Sequence, residues 1–84
     1  MSAVQTLKIQ VPETVLLAEK TKPEAFAREI RMLAAVKLYE LGRLSSGRAA
    51  ELAGVTRVEF LYSLGRYQVS AFEAELADLE AERD

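Results

Sequence analysis

The residues best suited to chemistry cluster around "SSGRAAELAGVTRVEFL", residues 45 to 61. Between residues 43 and 67, Arg43, Arg48, Arg57 and Arg66 face only Glu51 and Glu59, a local net charge of +2. Guanidinium groups in such a run suit phosphate contacts, and one aimed at a base edge can pair bidentately with guanine. Catalysis has little to draw on. The chain contains no histidine, so it lacks the usual neutral-pH acid–base and the commonest metal ligand. It contains no cysteine, which removes disulfides and thiolate metal sites. Carboxylates, lysines and three tyrosines remain, in no recognisable catalytic constellation. The expectation is a binding protein that is not an enzyme and takes no cofactor or metal.

The spacing within this stretch is what a helix-turn-helix requires. A small residue, Ala50, allows the second helix to cross close by, and Gly54 follows four positions later for a tight turn. Val55 is the apolar turn residue, Thr56 caps the next helix, and Phe60 locks the two helices from six positions after the glycine. Ser63 stands where the common pattern wants a large aliphatic residue, a packing role that passes to Leu64. If the second helix enters the major groove, Arg57 at its start contacts phosphate or guanine. Thr56 then offers a hydroxyl or N–H to phosphate, and Glu59, Tyr62, Ser63 and Arg66 are the other polar candidates. Arg43, Ser46 and Arg48 flank the site and would hold the DNA backbone. A capped glycine turn also occurs in helical hairpins that never touch DNA, and Val58, Leu61 and Leu64 make this second helix unusually apolar.

The elements that must position these residues follow from periodicity. "TLKIQV" alternates Leu7, Ile9 and Val11 with Thr6, Lys8 and Gln10, predicting a half-buried strand over 6–11 closed by Pro12. Such a strand needs a partner, either the short piece near Tyr67 to Val69 or a second copy of the chain. A short helix is expected over 13–19. A long one is expected over 23–41, with Thr21 and Glu24 as a capping box, Pro23 in its first turn and Gly42 just beyond its end. Phe26, Ile30, Leu33, Ala34, Leu38 and Leu41 form its apolar stripe, read as core or dimer interface. The helix-turn-helix spans 45–66, with Ser45 or Ser46 as its N-cap. Tyr39, Tyr62 and Tyr67 are expected to pack with their hydroxyls at the surface. Residues 70–84 read as an acidic helix or tail, opened by Ser70 and Glu73 as a second capping box.

Eighty-four residues make one small domain whose core is easily left incomplete, so a homodimer is a reasonable expectation. The net charge of −2 is unevenly spread: residues 68–84 alone carry −5. No apolar run approaches the ~20 residues that span a bilayer. The N-terminus lacks the pattern of a secretory signal, and the absence of cysteine suits a cytoplasmic location.

The run "VKLYELGRLSSGRAAELAGVTRVEFLYSLGRYQVS", with the "TLKIQVPE" opening and the acidic end, resembles the small prokaryotic uncharacterised protein family 0175. Members of that family look like antitoxins, often encoded beside PIN-type ribonuclease toxins. The resemblance implies a helix-turn-helix domain and, by analogy, autorepression together with toxin neutralisation. It fits the charge split, with a basic motif for an operator and an acidic tail for a nuclease surface. In the tail, Phe72, Leu76 and Leu79 would be buried against the toxin, with Glu73 and Glu80 among the carboxylates offered to it.

The sequence thus predicts a mainly α protein, a small helix-turn-helix domain with a short N-terminal β-strand. The expected function is operator binding by a homodimer acting as the antitoxin of a toxin–antitoxin pair. The alternative is a protein-interaction adaptor whose apolar "VEFLYSL" helix docks a partner and never enters a groove. Substituting Arg57 and Arg66 separates the two, since only the first has operator binding to lose.

Overall fold

A computed structural model describes residues 3–69. Four α-helices occur among them in chain order: α1 (Glu13–Glu19), α2 (Pro23–Glu40), α3 (Ser46–Ala53) and α4 (Arg57–Ser63). A 3-10 turn over Leu64–Tyr67 follows α4 directly. The expected strand does not form. Residues 3–12 adopt neither helix nor strand, and Leu7 is 85% and Ile9 64% exposed. Among the described residues no second strand is present to pair with them, so the alternation finds no ladder within one chain. The piece near Tyr67 to Val69, considered as that partner, instead closes the 3-10 turn: Gln68 is left-handed (φ 58°) and the Val69 N–H bonds to the Leu64 carbonyl at 3.1 Å.

The long helix starts at Pro23, whose missing N–H costs nothing in a first turn. Its N-cap is Lys22, with no side-chain cap; Thr21 Oγ1 bonds instead to the Lys22 carbonyl at 3.4 Å, so the expected Thr21–Glu24 box is absent. At the other end Gly42 (φ 76°) takes the left-handed conformation expected of it. The Arg43 N–H then reaches the Leu38 carbonyl and the Gly42 N–H the Tyr39 carbonyl, both at 2.9 Å, a Schellman closure.

The core lies where α2, α3 and α4 meet. It consists of Ala35, Val36, Tyr39, Ala49, Ala50, Phe60 and Leu64. On α2 this differs from the expected stripe. Leu33 and Leu41 are exposed, and Phe26, Ile30, Ala34 and Leu38 are half-buried. The face in use instead runs through Met32, Ala35, Val36 and Tyr39, one i, i+3, i+4, i+7 row further round. Three alanines at the crossing let α3 come close to α2, a fit the larger aliphatic stripe does not allow. The Tyr39 ring meets Phe60 edge-on, with centroids 5.5 Å apart and planes at 88°. Such a pair adds about 0.5–1.5 kcal/mol beyond its area. Tyr39 is buried with its hydroxyl oxygen inside, in contrast to the surface position expected for it.

Candidate nucleic-acid interface

The joint between α3 and α4 is built by local chemistry at each of its ends. Ser45 caps α3, its Oγ accepting from the Arg48 N–H at 3.2 Å. Gly54 ends the helix at φ 77°, and the N–H groups of Gly54 and Val55 both return to the Ala50 carbonyl, at 2.9 and 3.1 Å. Thr56 then caps α4. Its Oγ1 accepts from the Glu59 N–H at 3.1 Å, while the Thr56 N–H donates to Glu59 Oε1 at 2.9 Å. The T-x-x-E spacing of Thr56 and Glu59 makes this a reciprocal capping box. The Thr56 bonds hold the Glu59 carboxyl below its ordinary value, the backbone N–H contributing most. Phe60 is fully buried, Val55 is half-buried against the core, and Leu64 fills the position that Ser63 cannot. Ser63 is itself enclosed, its hydroxyl donating to the Glu59 carbonyl at 2.8 Å.

The expected DNA-contacting residues divide into two groups. Ser46 is fully buried and its Oγ accepts from Arg57 Nε at 2.6 Å, so this pair ties the first residue of α3 to the first of α4. Thr56 and Glu59 are occupied with each other, although both are exposed. These four set the angle of the joint. Exposed on the outside are Arg43 on the connection after α2, Arg48, Tyr62 and Arg66. Arg48 pairs with Glu51 at 3.2 Å with both side chains mostly exposed, a contact cheap to exchange for another anion. The Arg66 guanidinium lies 5.7 Å from the Tyr67 ring centre and 3.4 Å from Ser63 Oγ. A shallow depression beside the start of α3 is lined by Ser45, Gly47, Arg48 and Glu51. Tyr62 is 83% exposed on α4, and Val58 one turn before it is 61% exposed.

Sequence reasoning missed Arg31. From α2 its Nε donates to the Leu52 carbonyl at 2.7 Å, near the C-terminal end of α3. Its guanidinium also covers the turn, since a Cβ at Gly54 would lie 3.3 Å from Nη2. Twenty-one residues separate donor and acceptor, and no local pattern announces the contact. Among the described residues there is no cluster of carboxylates able to hold a metal, and no helix is long and apolar enough to cross a membrane. The expected toxin contacts Phe72, Glu73, Leu76, Leu79 and Glu80 lie outside the described residues.

Comparison with known proteins gives the chain a family. The profile of an uncharacterised protein family (UPF0175) matches residues 1–84. A "UPF0175 protein" of Archaeoglobus fulgidus is 43% identical over 56 residues, covering 67% of this chain and 60% of that protein. The chain thus spans somewhat under two thirds of that relative's length. No solved structure matches the chain significantly. With the profile covering its whole length, the chain belongs to the family UPF0175.

Proposed function

We propose that the protein is a DNA-binding helix-turn-helix regulator that acts as a homodimer and as the antitoxin of a toxin–antitoxin pair. The observation that carries this reading is the α3–α4 joint: two short helices, a three-residue turn around left-handed Gly54 and a capped restart at Thr56. That is the unit whose second helix docks in a major groove. Arg48 and Arg66 would contact phosphates and Tyr62 the groove, while Ser46 and Arg57 fix the angle at which α4 is presented. Two copies related by a two-fold axis would set their α4 helices about 34 Å apart and select a near-palindromic site. The acidic tail, by its charge alone, suits a basic nuclease surface such as a PIN-type toxin.

The test is binding to the DNA upstream of the protein's own gene across a salt series. Each arginine that contacts phosphate adds about 0.9 to the slope of log K against log salt. Arg48→Ala with Arg66→Ala removes four phosphate contacts from the dimer, so it should weaken binding and lower that slope by about 3.6. A wild-type protein that shows no preference for this DNA over a scrambled duplex would refute the operator reading. A pull-down in which a chain lacking residues 70–84 still retains the toxin would remove the tail from the mechanism.

One observation favours a second reading. Val58 and Tyr62 form an outward apolar pair on α4, chemistry suited to a protein groove as much as to DNA. In the adaptor reading Tyr62→Ala abolishes capture of a protein partner, and the arginine substitutions leave that capture unchanged.

A further inference from the structure

We propose that residues 6–11 form a two-stranded antiparallel ribbon with the same segment of a second copy, Ile9 facing its own counterpart across the two-fold axis. The ribbon rests on the homodimer part of the function proposed above and gives that dimer a specific joint. The segment alternates three apolar with three polar side chains, yet in one chain residues 3–10 are all exposed. Among the described residues no backbone hydrogen bond engages residues 3–11. Exposed peptide groups carrying a period-two apolar pattern are completed by another strand.

The identity of that strand follows from self-complementarity. Side chains directly opposed in a ladder share a face, so a register that mixes parity sets Leu7 and Ile9 against polar residues. A two-fold centred on Lys8 opposes two ammonium groups, which is unfavourable. One centred on Leu7 leaves Ile9 opposite Gln5. Centred on Ile9, the pairing sets Leu7 opposite Val11, Ile9 opposite Ile9 and Lys8 opposite Gln10, with Thr6 facing Pro12 at the ends. All apolar side chains then lie on one face, no like charges meet, and the proline without an N–H falls at the margin. A two-stranded ribbon is marginal by itself. Leu33 on α2 and Leu41 just past its end are exposed and offer apolar surface for the inner face.

The absence of cysteine makes the register directly testable, since each single-cysteine variant carries one thiol. Opposed residues in an antiparallel pair lie about 4.5–5.5 Å apart at Cα, within disulfide reach. Ile9→Cys should form a linked dimer under mild oxidation. Leu7→Cys and Val11→Cys should not do so alone, because each lies about 13 Å from its own counterpart. A mixture of those two variants should cross-link. In sedimentation the wild type should have twice the chain mass and Ile9→Pro the single-chain mass. A monomeric wild type, covered by its own tail or by another protein's strand, overturns the proposal; so does a Leu7→Cys chain that links to itself as readily as Ile9→Cys. The readout involves no DNA, so lost operator binding with intact Ile9→Cys linkage would refute only the DNA reading.

Discussion

At the scale of single residues, the joint between α3 and α4 depends on groups that looked like ligand contacts. Ser46 and Arg57 have hydroxyl and guanidinium side chains at the two helix starts, the chemistry a phosphate site would use. The fold turns them toward each other at 2.6 Å. Sequence alone could not separate these outcomes, because the eleven-residue separation becomes contact only once the turn at Gly54 is made. Ser46→Ala should therefore destabilise the domain by about 1–3 kcal/mol, the range for losing the acceptor of a charged donor. Urea unfolding measures this, and a variant as stable as wild type would return Ser46 to the ligand side of the ledger. Glu59 gives a pH signature. Its folded pKa is depressed, so its contribution is complete above the ordinary glutamate range and is lost as pH falls through the lowered value. Glu59→Gln should lower the urea midpoint at neutral pH, and the gap to wild type should close on acidification. A gap that persists unchanged in acid would show that the carboxylate charge plays no part in the cap.

At the scale of elements, local signals proved reliable where they were short and self-contained. The helix over 13–19, the proline start of α2, the left-handed glycines 42 and 54 and the cap at Thr56 all depend on neighbours within about one turn. The side of α2 that packs was not legible in the same way. Its large aliphatic stripe is continuous, but the buried row runs through Ala35, and only the approach of Ala49 and Ala50 reveals why. Ala50→Leu should test this, since a larger side chain at a buried crossing costs about 1–3 kcal/mol through overpacking. Ala34→Leu, on the half-buried stripe, should cost clearly less. Equal losses in thermal unfolding would mean that the crossing has no such steric limit. α4 itself is brief: seven residues of α-helix, then a 3-10 turn that places Leu64 in the core. Its outward surface is correspondingly small, and Tyr62 dominates it.

At the scale of the whole molecule, the described chain has a core where α2, α3 and α4 meet and leaves several large apolar side chains exposed. Val4, Leu7 and Ile9 in the N-terminal arm, Leu33 on α2 and Leu41 just past its end are all exposed. The alternation in the arm was legible in the sequence, but a strand is a relation between two segments and one chain describes only half of it. If two copies supply both halves, the melting temperature must rise with protein concentration by mass action. Wild type should show that rise across a hundredfold dilution series, and Ile9→Pro should not. A wild-type melting temperature independent of concentration would argue for a self-sufficient monomer.

An exposed arm is also the place where a protease would start. Lys8 sits in the middle of an unpaired segment, where a trypsin-type protease can take its backbone into an extended cleft. Inside a ribbon the same peptide bond would be held in a ladder and shielded. Newly made chains at low abundance would then be cut first, and those that find a copy of themselves would persist. Turnover would become a measure of how many chains are present, with the census taken at a single lysine.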